Sequence, residues 1–316
     1  MCADAVTPLL LPAVSDRSHA PHVSICVLTY KRPAMLARCL GALSLQVVEG
    51  FTCSILVVDN DADESAKLVV QEWVGQSKVR IEYAVEPVQS ISLARNRAVR
   101  CSDGDYIAFI DDDEVAEPEW VATLLTNCRS LGVHGVLGPV LAQFEGSPPP
   151  WLIESGLCRR ADFPTGTLLT SSRYMRTGNF LFSRDLVTGA HLPFNPKFGL
   201  SGGEDADFFE RMLHLGRKFA WVNEARVHEW VPAERQTLGY HLRRGVIRGV
   251  MEADKHALLS AGTAKSLAAI AVYVAAMPFL VIFRFPLFAR CVVSCCDHAA
   301  KLLAQCGIRL ARKRTF

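Results

Sequence analysis

The sequence has no CxxC pair, no GxxxxGK(S/T) loop, no GxGxxG turn and no HExxH helix, and its net charge is only +2. Each absence excludes something. The eleven cysteines are scattered, several inside apolar runs, which suits a reducing compartment and not a disulfide framework. The small net charge offers no overall field to attract nucleic acid. Without the two glycine loops, neither a P-loop NTPase nor a dinucleotide Rossmann site is supported, so metal and cationic side chains must hold any phosphates. His228-Glu229-Trp230-Val231-Pro232 is not a zinc-protease helix. The N-terminus lacks a basic n-region and its apolar run is broken, so no signal peptide is expected and the cytosol is the default. No internal repeat is apparent, and the one biased patch is Ser147-Pro148-Pro149-Pro150.

What is present centres on Tyr106-Ile107-Ala108-Phe109-Ile110-Asp111-Asp112-Asp113-Glu114. A continuous apolar run is the pattern of a strand covered on both faces. Chain direction delivers the four acids to its C-terminal end, where open α/β sheets place ligands. Four adjacent carboxylates repel one another, and oxygen-only ligands suit Mg²⁺ or Mn²⁺. A solvated acidic turn is the alternative.

The flanking pattern is strand, helix, strand, helix, strand, helix, strand. Val23 to Leu28, Cys53 to Val58 and Val79 to Ala84 read as strands. Pro33 opens a helix carrying Met35, Leu36, Cys39, Leu40 and Leu43. A second helix carries Ala66, Leu68, Val69 and Trp73, and a third spans Ser92 to Ala98. Right-handed crossovers then give a mainly parallel sheet. With 316 residues, half of them hydrophobic, the chain can hold one large domain and an appendage.

Val27-Leu28-Thr29-Tyr30-Lys31-Arg32, Leu56-Val57-Val58-Asp59-Asn60, Ala94-Arg95-Asn96 and Phe109 to Glu114 occur in the order seen in family 2 glycosyltransferases. The chain resembles these inverting, nucleotide-sugar-dependent enzymes over roughly residues 22–240, and its later part resembles polysaccharide-assembly members of the succinoglycan type. The resemblance implies a GT-A-like α/β fold with a mainly parallel sheet flanked by helices. Residues 1–21 would be a flexible leader, 22–115 the nucleotide-binding half, 116–240 the acceptor-side half, and 241–316 a helical, membrane-associating tail. It implies a donor site of Thr29, Tyr30, Arg32, Asp59, Arg95, Asp111 and Asp112, taking a UDP-sugar. Asp59 would accept from uracil N3–H, with a turn or helix-cap acid as the alternative. Tyr30 would pack beside the ring, and Arg95 would make a polar or phosphate contact. Asp113 and Asp111, with His228, would hold the divalent cation, and Asp112 could share either task.

The second half contains Gly199-Leu200-Ser201-Gly202-Gly203-Glu204-Asp205-Ala206-Asp207-Phe208-Phe209. Glycines followed by acids and large apolar residues read as a loop opening a helix, where the dipole favours acids in any case. The family's ED motif aligns with Glu204-Asp205. Asp205 would then be the base that deprotonates the attacking hydroxyl, Glu204 an acceptor contact and Asp207 a loop support. Arg235 and Thr237 fall in a segment that can close over the diphosphate in similar enzymes.

From Leu267 to Phe283 the chain is uncharged and strongly apolar, about 25 Å as a helix against a hydrocarbon core of about 30 Å. Basic residues flank both sides: Arg243, Arg244, Arg248, Lys255 and Lys265 before, Arg284, Arg290, Arg309, Arg312, Lys313 and Arg314 after. Charge on both sides argues for a re-entrant hairpin or interfacial anchor over a single crossing. Burial of this helix in the protein's own core is the alternative. The expectation is a transferase at the cytoplasmic membrane face acting on a lipid-linked glycan or other glycan acceptor, with no nucleic-acid partner. A nucleotidyltransferase and a catalytically silent scaffold are the competing readings. The first should carry a glycine-rich loop after the first strand, and the second need not keep Asp111, Asp113 and Asp205.

Overall fold

The computed structural model describes residues 20–189, 192–200, 202–253 and 260–310. Most of the expected leader, Ser201 and the tail cations Lys255, Arg312, Lys313 and Arg314 lie outside the described residues. The chain runs β1 (His22–Thr29), α1 (Pro33–Leu43), β2 (Thr52–Asp59), α2 (Lys67–Val74), β3 (Arg80–Val85), α3 (Ile91–Cys101) and β4 (Tyr106–Asp111). It continues with β5 (Glu114–Ala116), α4 (Trp120–Ser130), β6 (Gly135–Leu137), β7 (Val140–Phe144), α5 (Pro150–Ser155), β8 (Asn179–Ser183) and α6 (Glu204–His214). Then come β9 (Phe219–Trp221), β10 (Val227–Val231), α7 (Leu238–Ala253), α8 (Ala261–Phe283) and α9 (Phe285–Gln305).

The main sheet has strand order β3-β2-β1-β4-β8-β6-β9. β3, β2, β1 and β4 are parallel, as the alternating pattern implies, and β8 enters antiparallel between β4 and β6. β1 is buried along almost its whole length, which explains its apolar run. Register matters for the site: Thr29 pairs with Asp59, and Leu28 with Asp111, so three strand ends share one rim. A smaller sheet, β5-β10-β7, sits beyond that rim.

Two apolar layers sandwich the main sheet. One packs Leu36, Leu40 and Leu43 of α1 and Trp120, Val121 and Leu124 of α4 against one face. The other is aromatic: Phe109, Phe180, Phe182, Phe194, Phe208, Phe209 and Phe219 meet beneath α3 and α6. Their rings stack or meet edge-on, for example Phe194 on Phe208 at 4.7 Å and Phe180 on Phe209 at 4.9 Å. Truncating one of these would cost about 3–5 kcal/mol. In α2 the buried position is Val70, whereas Leu68 is 79% exposed. A helix of two turns buries a narrow stripe, and its apolar residues exceeded what that stripe could take.

The C-terminal helices form a separate bundle. α7 and α9 approach closely because they meet at glycine: a Cβ on Gly249 would lie 2.1 Å from the Asp297 carbonyl oxygen, and one on Gly245 2.8 Å from that of Val293. α8 and α9 are antiparallel, since Thr263 Oγ1 donates to Gln305 at 3.3 Å and Ser266 meets His298 at 3.1 Å. Within α8 only Ser266 is buried, and Val272, Phe279, Ile282 and Phe283 are exposed. The apolar helix is therefore not a core element of this chain.

Candidate active site

The rim assembles from strand ends. At the end of β1, Thr29 Oγ1 donates to Asp112 Oδ2 at 2.8 Å. Lys31 then takes a left-handed conformation (φ 53°), and α1 starts at Pro33, its first-turn position needing no N–H. This turn lays Arg32 over the acids, with Nη1 3.3 Å from Asp112 and 3.4 Å from Asp113. From the far side Arg235 reaches Asp113 at 3.2 Å. Asp113 thus lies between two guanidiniums.

Asp59, fully buried at the end of β2, is fixed by one oxygen. Its Oδ2 accepts from Ala66 N at 2.8 Å and from the Tyr83 hydroxyl at 2.9 Å, while Oδ1 has no partner among the described residues. Loss of hydration pushes its carboxyl up. Asn60 beside it ties the loop together, donating to the carbonyls of Glu86 and Val88 at 2.9 and 2.7 Å and accepting from Ser90 N at 2.8 Å. Tyr30 neighbours this edge and meets Lys31, whose ammonium lies 5.4 Å from its ring centre.

The four acids are not equivalent. Glu114 is buried, and its Oε2 accepts from Asp111 N at 3.1 Å, closing the turn. β8 begins so near them that a Cβ on Gly178 would meet Asp111 Oδ2 at 2.8 Å and Glu114 Oε1 at 2.9 Å, so a larger residue there would displace the two carboxylates. Burial pushes Asp112 up to about 6 and Asp111 up to about 7; Arg32 and Arg95 oppose it, and the neighbouring aspartates add to it. Asp112 is 5% exposed. Asp111 keeps 45% of its side chain open, so solvent tempers its shift and a cation can reach it.

Arg95 meets carboxylates. The side chain is buried, ion-paired with Glu204 and 3.9 Å from Asp111, and its face lies 5.7 Å from the Phe194 ring. Its charge joins the two halves. The next residue does the same work: Asn96 donates to the Phe194 carbonyl at 2.7 Å and accepts from its N–H at 2.9 Å. Gly199 completes this seam, receiving Ile91 N at 3.1 Å where a Cβ would strike Ser90 Oγ at 1.9 Å. Gly202 and Gly203 take left-handed conformations, and α6 then presents Glu204 and Asp205 in its first turn. Asp205 accepts from Ala206 N at 2.7 Å and lies 3.7 Å from Arg176 Nε.

His228 sits elsewhere. Its Nε2 is 3.1 Å from Glu117, and strand alternation sends Glu229, not His228, toward Arg160 and Arg235. The structure does not bring His228 to Asp111 or Asp113. Among the described residues no three His, Cys, Asp or Glu side chains are gathered as a ready-made cage. Mg²⁺ ordinarily takes one or two carboxylates and completes its shell with phosphate and water, so Asp111 and Asp113 beside a diphosphate fit such an ion. The sequence pattern overlooked Glu229, Arg160 and Arg176, because long-range folding alone brings them to the rim. Glu114 was visible as the fourth acid of the run.

A four-strand parallel half, an inserted antiparallel strand and carboxylates at the strand ends define a GT-A-like nucleotide-sugar enzyme fold. The sequence model of Glycosyl transferase family 2 matches residues 24–188, and this chain belongs to that family. It is 35% identical over 241 residues to the succinoglycan biosynthesis protein ExoM of Rhizobium meliloti, covering 74% of this chain and 76% of that one. It is 26% identical over 114 residues to a validoxylamine A glucosyltransferase of Streptomyces hygroscopicus, covering 36% of this chain and 25% of that one. The crystal structure of S. aureus TarS 1-349 in complex with UDP-GlcNAc superposes with a TM-score of 0.55 at 12% identity, covering 92% of this chain and 93% of that one. That likeness is one of fold. The protein is a glycosyltransferase.

Proposed function

We propose that the chain is an inverting transferase that moves a sugar from a UDP-sugar to a hydroxyl of a lipid-linked glycan during cell-surface polysaccharide assembly. The observation that carries this reading is the convergence of Thr29, Asp59 and Asp111 to Asp113 on one rim, with Asp205 brought against it by the Arg95–Glu204 pair. Asp59, at the end of β2, would accept from a pyrimidine N–H once the base enters and the side chain shifts to meet it. Asp111 and Asp113 would hold a divalent cation, Mg²⁺ or Mn²⁺, whose charge offsets that developing on the departing diphosphate, an effect worth several kcal/mol.

Asp205 takes the proton of the acceptor hydroxyl as its oxygen attacks the anomeric carbon. The bond from that carbon to the diphosphate oxygen breaks on the opposite face, and the diphosphate leaves with the electron pair. Arg32 and Arg235, already paired with Asp113, are the cations nearest that departing charge. A role for His228 as a third ligand would require it to leave Glu117, so the two aspartates suffice in this scheme.

The tail supports action at a membrane. α8 is about 34 Å long, and from Leu267 to Phe283 it is apolar on all sides, whereas helices lying in an interface have one polar face. Folding back as α8 and α9, with Arg284 at the bend, it reads as a hairpin dipping into the cytoplasmic leaflet. UDP release by purified protein in detergent, over a panel of nucleotide sugars with Mn²⁺ or Mg²⁺, tests the transfer. Release from one donor, abolished by EDTA, is expected; failure to bind any nucleotide would overturn the reading.

A further inference from the structure

Next to the rim, between the C-terminal ends of β6 and β9 and the loop after α5, lies a cavity of about 190 Å³. Its wall is rich in hydrogen-bond donors. Arg160, Arg173 and Arg176 line it with Tyr174, Asn179 and Trp221. A guanidinium offers five N–H groups and no acceptor. The Asn179 amide is already committed: Oδ1 accepts from Trp120 Nε1 at 2.9 Å, and Nδ2 donates to the carbonyls of Pro139 and Ala225 at 3.0 and 2.7 Å. Trp221 is 4% exposed, and its buried Nε1–H donates to nothing among the described residues. That N–H is sealed inside the protein, so Trp221 serves the cavity as a ring wall.

The charges point the same way. Arg160 is balanced by Glu229, and Arg176 lies 3.7 Å from Asp205. Arg173 rests against Tyr174, 5.8 Å from its ring centre, and has no ion pair among the described residues. One guanidinium of the cavity wall, exposed and therefore reachable, is left without a carboxylate partner among the described residues. A neutral sugar hydroxyl both donates and accepts, and this wall gives its donor side little to bind. A phosphate or carboxylate oxygen only accepts.

We propose that this cavity is a subsite for an anionic group, phosphate or carboxylate, that the acceptor carries close to the hydroxyl being glycosylated. The assignment rests on the transferase reading of the same rim. Arg176 spans the two, since it lines the cavity and faces Asp205, so an acceptor anchored by its anion would present a neighbouring hydroxyl to that carboxylate. The anion could belong to an acidic sugar or to the phosphate of a lipid carrier. α5, which leads into the Arg160 loop, packs on α9 through Trp151 and Phe285, ring centres 6.2 Å apart, and so ties the cavity wall to the hairpin.

The test compares three acceptors with the full chain in detergent. They are a neutral glycoside, the same glycoside ending in a uronic acid, and the same sugar on a polyprenyl diphosphate. The reading is the ratio of kcat/KM for each anionic acceptor to that for the neutral one. We expect a preference of about tenfold for one of them, about 1.4 kcal/mol. Arg173→Ala should bring that ratio near one through KM, and Arg173→Lys should restore part of it. Preference for the uronic acid identifies a sugar acid, and preference for the diphosphate identifies the carrier. Equal use of all three, or a preference that survives Arg173→Ala, would overturn the assignment. UDP titration separates the two readings: cation-dependent UDP binding without anion preference removes the cavity assignment alone, and no UDP binding removes both.

Discussion

The two halves of the catalytic domain each offer a group of acids, and they hold them by different means. In the first half, proposed above as the donor side, Asp59 and Asp111 to Asp113 sit at the ends of parallel strands, where the sheet fixes their spacing and burial raises Asp111 and Asp112. In the second half, proposed as the acceptor side, Glu204 and Asp205 stand in the first turn of α6 after two left-handed glycines, and Arg95 from the first half secures Glu204. Rigid strand ends suit a task of fixed geometry, holding a nucleotide and an ion. A helix start on a glycine hinge, docked by one ion pair, suits a group that must meet a variable acceptor.

The largest test of that contrast is chemical. Asp113→Ala and Asp205→Asn should each lower kcat by about a hundred- to ten-thousand-fold. They should differ in binding: Asp113→Ala loses the cation dependence of UDP affinity, and Asp205→Asn keeps it, both read by calorimetry. Loss of UDP binding in both would erase the division of labour. Next is the seam. Arg95→Met leaves Glu204 buried without its cation and should cost about 3 kcal/mol in urea unfolding. The double variant with Glu204→Gln should recover part of that, and simple additivity would show that the pair does not couple.

Gly178→Ala forces a methyl between Asp111 and Glu114 and should cost about 1–3 kcal/mol, measured by thermal melting. An unchanged melt would mean that the donor-side acids are less rigid than the strand ends imply. The smallest effect is with pH. Asp112 is raised from 3.8 to about 6, so between those values the folded state holds more protons than the unfolded one. Stability of metal-free protein should therefore fall as pH rises through that window, by about 1–2 kcal/mol from this group. Asp112→Asn should make the fall of the urea midpoints between pH 4 and 6 shallower, leaving the part that Asp111 and Glu114 contribute.

Much of the donor half was legible in the sequence because its signals are local. A buried parallel strand is a run of apolar residues, and the chain carries the acids straight off its end, so β1, β2, β4 and their termini could be placed from Val23, Cys53 and Tyr106 onward. β8 was not legible. Asn179 to Ser183 is a short segment whose partners, β4 and β6, are set by long-range packing. Arg95 is expected at the donor site from its motif, yet a guanidinium reads alike whether it meets a phosphate or a carboxylate, and only the folded chain supplies Glu204. Arg160, Arg176 and Glu229 carry no local pattern at all.

By itself, the sequence determined the α/β alternation, the position of the acids at a strand end and the apolar character of the tail, since each follows from periodicity and chain direction. The tertiary structure decided which charges face one another. It turned Arg95 inward to Glu204, sent His228 to Glu117 and left Arg173 with no ion pair among the described residues, beside a cavity. Ion pairs form between residues far apart in the chain, and their choice is made by packing that no stretch of sequence contains.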